Sequence, residues 1–476
     1  MPRRTKIVAT LGPASSDAKT LGSMIDAGLD VVRMNFSHGT AREHEKRVEL
    51  VRTLARKAGR AVGVLVDLQG PKIRIGRFTR GRIELKPGDR FVLDAECKVG
   101  NQQRVGLDYA NLPRDVHPGD TLLLNDGHIV MGVADVKGPR VTCEVIVGGT
   151  LSDHKGINRK GGGLTAPALT EKDMEDIRLA AKLKADFLGV SFPRSGEDML
   201  WVRELLRKAG GHALAIAKIE RAEAIPALDE IVSASDGIMV ARGDLAVEVG
   251  NAAVPGLQKR MIRAARDRNR LVITATQMME SMINEPLPTR AEVSDVANAV
   301  LDGTDAVMLS GETAIGKYPA ETVRQMASVC EAAEREDLSI YMDRRRPNPP
   351  ADVEEAIARA TMFTGQNLKI KAIAALTQSG KTVLLMSRMY GTVPVYALSS
   401  VVETRRRVTL FRGVYPVIFK GAPDPEKALH MAEDELLRRG AVNRGDYIVL
   451  TIGEPFGKSG GTNTMKIVKV GEHRGV

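Results

Sequence analysis

Residues 213–244 read ALAIAKIERAEAIPALDEIVSASDGIMVARGD and contain two apolar runs that each end in charged residues. The first run ends at Lys218 and Glu220, and the second ends at Arg242 and Asp244. Residues two apart in a strand point the same way, so an ammonium and a carboxylate would leave the first strand side by side. Two carboxylates with one lysine suit a divalent cation that holds an anionic substrate. The alternative is an ordinary surface Lys–Glu ion pair, which contributes little to stability.

Runs of this kind occur eight times along the chain, and most are followed by a helical pattern. The eight runs are Lys6–Thr10, Val31–Phe36, Val62–Leu68, Asp186–Phe192, Ala213–Ile219, Gly237–Ala241, Leu271–Thr276 and Asp305–Leu309. Helical spacing is found at Ala41–Ala58, Glu171–Lys184, Asp198–Lys208, Leu257–Asn269 and Ala320–Glu334. Strands that are apolar throughout and alternate with helices predict an α/β fold with a closed parallel TIM (β/α)8 barrel. A doubly wound open sheet is the alternative, although it rarely needs eight units.

Polar residues cluster after five of these strands, at the C-terminal ends where a barrel keeps its chemistry. Any one of them has a plain explanation as a capping or turn residue, but the agreement of five strand ends favours a single site. These residues are Arg33, Asn35, Ser37 and His38, then Asp67 and Gln69, then Lys218 and Glu220, then Arg242, Gly243 and Asp244, then Thr274 and Thr276.

Two segments lie outside the barrel, which is assigned to residues 1–70 and 164–342. Residues 71–163 hold short alternating runs separated by turn signals, which predicts a small inserted β-barrel that acts as a lid. Gly161–Gly163 is interpreted as its return hinge, and closure of the lid would exclude water from the site. Residues 343–476 begin with a proline-rich linker and then alternate strands with helices, which predicts a separate α/β domain.

Composition narrows the classes of function. The 476 residues suffice for several domains, and the net charge of +10 suits polyanions such as DNA or phosphorylated metabolites. Acidic residues are interleaved with the basic ones and aromatic residues make up only 4%, so anion sites are favoured over a nucleic-acid groove. The three distant cysteines and the lack of a long apolar run predict a cytoplasmic protein without a membrane anchor.

Seven motifs, spread over nearly the whole chain, resemble those of the pyruvate kinase family. They are TKIVATLGP (5–13), RMNFSHG (33–39), KIE (218–220), DGIMVARGD (236–244), ITATQ (273–277), PTRAE (288–292) and DGTDAVMLS (302–310). The resemblance implies transfer of the phosphoryl group of phosphoenolpyruvate to ADP, which gives pyruvate and ATP. It also implies a homotetramer, because the family is typically tetrameric.

The resemblance assigns roles to the charged residues at the barrel mouth. Glu220 and Asp244 would hold Mg²⁺ or Mn²⁺, both of which prefer oxygen ligands. Lys218 would neutralise the charge of the transferring phosphoryl group. Arg33 would grip the phosphate with two parallel hydrogen bonds, a geometry that lysine cannot reproduce.

Further roles follow for the substrate carboxylate and the nucleotide. The backbone N–H groups of Gly243 and Asp244 open a helix and would seat the carboxylate. Thr276 would bind the same carboxylate or help to relay a proton to the enolate. The residues that resemble the nucleotide contacts of the family are Asn35, Ser37, His38, Arg74 and Lys155.

One departure from the family pattern concerns a monovalent cation. Many members have the sequence DTKGPE and require K⁺, whereas residues 67–72 here are DLQGPK. The Lys72 ammonium can supply the positive charge that a bound K⁺ otherwise provides, so we expect little or no K⁺ requirement. In the alternative, Lys72 is an exposed lysine on a hinge loop, and Asn35, Ser37 and Asp67 still form a K⁺ site.

The predicted C-terminal domain contains a loop, TQSGKT at residues 377–382, that resembles the family's effector site for sugar phosphates. Hydroxyl groups, a glycine and a lysine at the start of a helix form a nest for phosphate. The predicted contacts are Thr377, Ser379, Gly380, Lys381 and Thr382, with residues 459–464 facing them. An ordinary Gly/Ser turn is the alternative.

Two other functions remain open from the sequence. The first is a Mg²⁺-dependent lyase or mutase that acts on phosphoenolpyruvate or pyruvate, because the same barrel hosts such chemistry. Its turnover would not depend on ADP. The second is a basic nucleic-acid-binding or scaffold protein that has lost catalysis, for which a steep salt dependence of binding would be the signature.

Overall fold

The computed structural model describes residues 2–336, 349–389, 391–422, 424–455 and 461–472. They form an eight-stranded closed barrel, an inserted β unit and a C-terminal α/β unit. The proline-rich linker from residue 343 and the boundary at residues 342/343 lie almost entirely outside the described residues. The exact limits of the three domains remain predictions.

The barrel consists of eight parallel strands that pair around the ring in the order of the sequence, which confirms the predicted closed barrel. Almost all of their side chains are buried, because the core fills the inside and helices cover the outside. Numbered along the whole chain, the strands are β1 (Lys6–Thr10), β2 (Val31–Asn35), β3 (Gly63–Asp67), β12 (Phe187–Val190), β13 (Leu214–Ile219), β14 (Gly237–Ala241), β15 (Leu271–Ala275) and β16 (Ala306–Leu309).

Helices follow the barrel strands, and four of them begin at a capping box in which a Ser or Thr hydroxyl and a carboxylate three residues later satisfy each other's N–H groups. None of the helices in the described ranges is long and apolar enough to span a membrane. The barrel helices are α1 (Ala18–Asp26), α2 (Ala41–Lys57), α4 (Glu171–Lys182), α5 (Gly196–Lys208), α6 (Leu228–Ala234), α7 (Arg242–Val249), α8 (Val254–Asp267), α9 (Arg290–Leu301), α10 (Gly311–Ala314) and α11 (Pro319–Ala333).

The predicted inserted β domain consists of a six-stranded sheet, β11-β7-β8-β9-β5-β6, and a two-stranded sheet, β10-β4, around one apolar core. The strands are β4 (Arg82–Leu85), β5 (Arg90–Asp94), β6 (Arg104–Val105), β7 (Thr121–Leu124), β8 (Ile129–Lys137), β9 (Arg140–Val147), β10 (Gly149–Ser152) and β11 (Ile157–Arg159), with one short helix, α3 (Leu112–Asp115). The alternating runs predicted in this segment correspond to β4, β5, β7, β8 and β9, whereas the short strands β6, β10 and β11 were not predicted.

The C-terminal unit is a five-stranded sheet with the order β19-β18-β17-β20-β21, in which only the β20–β21 pair is antiparallel. The order reverses at β17, which is the pattern of the predicted doubly wound sheet. Its strands are β17 (Ile370–Leu376), β18 (Val395–Ser399), β19 (Val414–Ile418), β20 (Tyr447–Gly453) and β21 (Thr462–Lys469). Its helices are α12 (Val353–Asn367), α13 (Lys381–Arg388), α14 (Val402–Arg407) and α15 (Pro425–Arg438).

The C-terminal unit closes the base of the barrel. One apolar cluster joins barrel residues such as Val8 and Met239 with residues of the C-terminal sheet and helices such as Ile373 and Met386. The C-terminal ends of the barrel strands, at the opposite side, remain available to the inserted lid. The two additions to the barrel therefore occupy opposite ends of it.

Candidate active site

The Lys218 ammonium is buried at the mouth of the barrel and has three acceptors around it. Its Nζ lies 2.9 Å from Oε1 of Glu220 and 3.2 Å from Oδ1 of Asp67, and it donates to Oγ of Ser191 at 2.8 Å. Burial alone would lower the pKa of Lys218, but the carboxylates of Asp67 and Glu220 outweigh burial and raise it above its ordinary value. Lys218 therefore stays charged.

Asp67 connects Lys218 with Arg33 across strands β3, β2 and β13. Arg33 donates from Nε to Oδ2 of Asp67 at 2.6 Å, and from Nη1 to Oγ1 of Thr10 at 3.0 Å. Burial would raise the pKa of the Asp67 carboxyl, but Lys218 and Arg33 hold it below its ordinary value. The structure thus brings two of the predicted catalytic residues onto one shared carboxylate.

Glu220 is held at both oxygens, since its Oε2 also accepts from the backbone N–H of Phe192 at 3.0 Å. Burial raises the pKa of Glu220 to about 7, the nearby charges of Asp244 and Asp67 add to the shift, and Lys218 opposes it. A carboxylate in this situation gains stability from any further cation that reaches it. Its environment therefore favours the binding of positive charge.

Asp244 lies at the start of α7 and pairs with Lys72. The Nζ of Lys72 lies 2.9 Å from Oδ1 of Asp244 and 3.7 Å from Oδ1 of Asp126, a residue in a turn of the lid. The contacts of Lys72 are thus with Asp244 and Asp126, rather than with Asn35, Ser37 or Asp67. The ammonium lies beside a predicted metal ligand, and its replacement of a K⁺ ion at the other three residues stays a prediction.

Gly243 and Thr276 lie together, as predicted, but they contact each other in a specific way. The N–H of Gly243 donates to Oγ1 of Thr276 at 2.9 Å, and this hydroxyl donates to the carbonyl of Ala275 at 2.6 Å. Thr276 has a φ of 69°, a left-handed conformation that a β-branched residue rarely adopts. Strain of this kind is typical of functional sites, and the Thr276 oxygen lies where a substrate carboxylate would meet the helix terminus.

The donor set at the mouth fits a divalent cation of the Mg²⁺ type. Glu220 and Asp244 supply carboxylate oxygens, and the pKa of Glu220 is raised mainly by burial, with a smaller contribution from the charge of Asp244. Within the described ranges, no group of three or more His, Cys, Asp and Glu side chains is arranged to hold a metal ion. Mg²⁺ commonly uses one or two protein carboxylates and takes its other ligands from water and substrate phosphates, so two carboxylates suffice.

The predicted nucleotide contacts fall into two groups. Asn35 ends β2, where its Oδ1 accepts from the N–H of Ser37 at 3.1 Å, and His38 follows on the exposed side. Arg74 and Lys155 both lie in the lid, where Arg74 pairs with the neighbour of Lys155, Gly156, in an isolated bridge. Residues of the same group lie close together, but no hydrogen bond or ion pair among the described residues joins the two groups.

Three residues of the predicted effector loop, Thr377, Ser379 and Thr382, line a cavity of about 90 Å³ in the C-terminal unit. Thr462 lines the same cavity. The N–H of Gly380 donates to Oγ1 of Thr377, and Gly380 adopts a φ of 87° that suits glycine. The Lys381 ammonium pairs with Asp352 at 2.8 Å and Glu354 at 2.9 Å, so a phosphate would compete with two carboxylates for it. Ser459 and Gly460 of the facing loop lie outside the described residues.

Sequence reasoning gave no role to three further residues of the site. Ser191 and Phe192 follow β12, and both contact the Lys218–Glu220 pair. Glu248 on α7 accepts from the side chain of Asn158 in the lid and from the N–H of Ala222. The serine after the fourth strand was a signal that the sequence analysis could have used. A contact made by the backbone N–H of Phe192, or by Glu248 in the last turn of α7, leaves no pattern in the sequence.

Comparison with known proteins shows the family of the chain. Residues 2–323 match the family model described as "Pyruvate kinase, barrel domain", and residues 355–468 match "Pyruvate kinase, alpha/beta domain". The chain is 52% identical to pyruvate kinase II of Salmonella typhimurium over 475 residues, which cover 98% of this chain and 99% of that protein. It is also 52% identical to a pyruvate kinase of Haemophilus influenzae, with 95% and 96% covered.

A solved structure agrees as well. The crystal structure of a pyruvate kinase from Cryptosporidium parvum superposes with a TM-score of 0.91 at 33% identity, and the match covers 98% of this chain and 96% of that one. Full-length identity, both family models and the barrel-mouth geometry point the same way. The chain is an enzyme that belongs to the pyruvate kinase family.

Proposed function

We propose that the protein transfers the phosphoryl group of phosphoenolpyruvate to ADP and so forms pyruvate and ATP. The observation that carries the proposal is the buried Lys218 ammonium between Asp67 and Glu220, with Arg33 on the same Asp67 carboxylate. Arg33 and Lys218 are thus two positive charges on either side of one carboxylate, Asp67. Such a pair of cations suits a phosphoryl group, whose negative charge is spread over three oxygens. Membership of the family supports the same reaction.

In the proposed step, an oxygen of the terminal phosphate of ADP forms a bond to phosphorus while the bond between phosphorus and the enol oxygen breaks. The electron pair of the broken bond stays on the enol oxygen, and a proton added to the terminal carbon gives pyruvate. Lys218 neutralises charge on the phosphoryl oxygens. Arg33 uses Nε for Asp67 and Nη1 for Thr10, and within the described part of the chain its Nη2 has no recorded partner and can bind phosphate.

Glu220 and Asp244 would hold Mg²⁺ or Mn²⁺ in this proposal. A bound divalent cation supplies concentrated positive charge for the carboxylate and phosphate of the substrate. Lys72 would have to leave Asp244, with which it pairs at 2.9 Å, before the carboxylate could bind the cation. The N–H of Gly243 would bind the substrate carboxylate once Thr276 releases it, and the freed hydroxyl could then take part in proton transfer.

The test is pyruvate formation from phosphoenolpyruvate and Mg²⁺, with and without ADP. We expect turnover only with ADP, and we expect Lys218→Met to lower kcat by roughly 100- to 1,000-fold, since it removes a donor aimed at developing charge. Lys208→Met is the matched control, because Lys208 is an exposed lysine on α5 whose only ion pair among the described residues is with Glu204, at 3.5 Å. Turnover without ADP would favour a lyase or mutase, and unchanged kcat in Lys218→Met would contradict the role of Lys218.

We also propose that catalysis needs little or no K⁺, on the basis of Lys72 in place of the usual acidic residue. The wild-type enzyme should retain most of its activity in K⁺-free buffer with a tetramethylammonium salt. Lys72→Glu should lose activity in that buffer and regain part of it when K⁺ is added. A steep loss of wild-type activity without K⁺ would overturn this proposal.

The loop at residues 377–382 is proposed to bind the phosphate of a sugar-phosphate effector, and the chain is proposed to assemble as a homotetramer. The hydroxyl-lined cavity supports the first proposal, and membership of the family supports the second. Ser379→Asp should abolish activation by sugar phosphates without changing basal kcat. Sedimentation equilibrium should give four times the chain mass of 51.5 kDa.

A further inference from the structure

The Lys218–Glu220 pair is contacted from the neighbouring strand by two consecutive residues, Ser191 and Phe192. Ser191 Oγ accepts from Lys218 Nζ at 2.8 Å, and the N–H of Phe192 donates to Oε2 of Glu220 at 3.0 Å. Phe192 has a φ of 58°, which is unfavourable for a bulky side chain. The surrounding structure therefore enforces a strained turn at the position where these two contacts are made.

The polarity of the Ser191 hydroxyl is fixed by its second contact. Its hydrogen is donated to the carbonyl of Leu68 at 2.7 Å, and a carbonyl can only accept. The oxygen lone pairs therefore face Lys218, for which Ser191 can act only as an acceptor. Ser191 is 2% exposed, and a Cβ added to Gly70 would lie 2.5 Å from the Ser191 Cβ, so the start of the lid connection packs tightly against it.

The Lys218 ammonium forms ion pairs with the carboxylates of Asp67 and Glu220 and donates a hydrogen bond to Ser191. A phosphoryl group that contacts the ammonium would compete with these two carboxylates for it. Glu220 is the partner that can exchange the ammonium for a divalent cation, and Asp67 is shared with Arg33. Ser191 is neutral and needs no counter-charge, so it can hold the ammonium throughout this exchange.

We propose that Ser191 is a positioning residue for phosphoryl transfer. Its hydroxyl holds the Lys218 ammonium in place as the ammonium turns from Glu220 towards the phosphoryl group, while the bond from phosphorus to the enol oxygen breaks and the bond to the ADP oxygen forms. This inference rests on the proposed function. Proton exchange at the methyl carbon of pyruvate involves no phosphoryl group, so it does not need Lys218 in that position.

The test compares two reactions of the same variants. Ser191→Ala should lower kcat for ATP formation by roughly 10- to 100-fold, the scale expected when a catalytic group is misplaced by about 1 Å. The KM for phosphoenolpyruvate and the rate of pyruvate methyl exchange in D₂O, followed by proton NMR with Mg²⁺, should change less than about threefold, since neither depends on the ammonium position. Ser191→Cys keeps the side-chain size with a weaker acceptor and should give an intermediate kcat.

Ser235→Ala is the matched control. Ser235 is fully buried at the base of the barrel, and its hydroxyl donates to the carbonyl of Ile231 at 2.7 Å. Its loss removes a buried hydrogen bond without touching a charged group, so Tm should fall while kcat stays at the wild-type value.

Two results would overturn the inference. The first is a kcat of Ser191→Ala within about twofold of wild type, which would show that the contact does not matter for the slow step. The second is a parallel loss of ATP formation and methyl exchange, which would indicate collapse of the whole site. If Ser191→Ala does not fold, the same two rates of Ser191→Cys decide. Wild-type enzyme that forms no ATP would instead remove the proposed function, and this is measured before any variant.

Discussion

Glu220 and Asp186 are both buried carboxyl groups with a pKa raised to about 7, mainly by burial, yet their surroundings differ. Glu220 lies 2.9 Å from the Lys218 ammonium at the mouth of the barrel. Asp186 lies at the base, where Oδ2 accepts from the N–H of Val64 at 2.8 Å and Oδ1 has no hydrogen-bond partner among the described residues. The charged form of Glu220 at the mouth is stabilised by a nearby cation. The charged form of Asp186 at the base is destabilised by burial.

Asp186→Asn should therefore stabilise the protein at high pH. The folded-state pKa of about 7 exceeds the ordinary value of 3.8, so the folded protein binds more protons between these values and loses stability as pH rises through this window. Asparagine keeps the acceptor for Val64 but has no charge to bury. The gain in unfolding free energy over wild type should grow from pH 5 to pH 7, at about 1.4 kcal/mol per pH unit, and then level off.

Urea unfolding at pH 5, 6, 7 and 8 measures this gain. Asp236→Asn is the matched control, because Asp236 makes the same contact with the N–H of Ala215 at 2.9 Å from a more exposed position. A gain from Asp186→Asn that does not change with pH would show that the Asp186 carboxyl is already ionised at pH 5.

At the level of elements, the base of the barrel shows a regular device. An aspartate just before every second strand accepts from an N–H near the start of the strand that precedes it, at 2.8–2.9 Å. These aspartates are Asp30, Asp186, Asp236 and Asp305. Since the first N–H groups of a strand at the rim of a barrel need partners, the four carboxylates satisfy them in place of water. The same residue type recurs at the same place in the sequence repeat, so this device was detectable from the sequence.

The lid is attached to helix α7 through Glu248. Its Oε1 accepts from Asn158 of β11 at 3.1 Å, its Oε2 accepts from the N–H of Ala222 at 2.8 Å, and its carbonyl accepts from the N–H of Gly161 at 3.2 Å. Helix α7 also carries Gly243 and Asp244 at its first turn. The position of the lid and the position of the proposed metal ligand are thus linked by one residue.

Asn158→Ala should loosen the lid without altering the site directly. It removes the side-chain contact with Glu248, and we expect faster amide hydrogen exchange at residues 157–163 with no change in the barrel strands. The KM for ADP should rise about three- to tenfold, since two predicted nucleotide contacts lie in the lid. Asn101→Ala, a change within the lid and away from α7, is the control. Equal exchange rates in wild type and Asn158→Ala would show that the Asn158 side chain does not hold the lid in place.

At the scale of the whole molecule, Asp305 joins the barrel to the C-terminal unit. Arg388, in the last turn of α13, binds the Asp305 carboxylate at both terminal nitrogens, and both residues are buried. The same Nη1 donates to the carbonyl of Arg270 at 2.7 Å. Helix α13 begins at the proposed effector loop, so this ion pair connects that loop with the base of strand β16.

Arg388→Met should destabilise the protein strongly, because it leaves the Asp305 charge buried without its main partner. The expected loss is about 3–5 kcal/mol, and Arg388→Met/Asp305→Asn should recover part of it by removing the charge. Arg438→Met is the control, since Arg438 forms an exposed pair with Glu435 that should contribute less than about 1 kcal/mol. Urea unfolding measures all three variants. A loss no larger than that of the control would mean that the interface does not depend on this pair.

The sequence by itself determined the barrel, the place of the inserted lid and the residues at the strand ends. It could do so because eight apolar runs that alternate with helices favour a closed sheet over an open one, and because parallel strands bring their C-terminal ends to one side. The structure confirms the barrel, and at the C-terminal ends of its strands Asp67 pairs with both Arg33 and Lys218.

Only the tertiary structure decided the partners of these residues. Lys72 forms an ion pair with Asp244 rather than contacts with Asn35, Ser37 and Asp67. The N–H of Gly243 donates to the Thr276 hydroxyl, and the Lys218 ammonium donates to the Ser191 hydroxyl. Each contact joins residues of different strands or of lid and barrel, and its geometry depends on how far neighbouring elements are shifted and turned. A linear sequence shows which side chains leave a strand, but hydrogen-bond partners depend on distances of a few tenths of an ångström that only packing fixes.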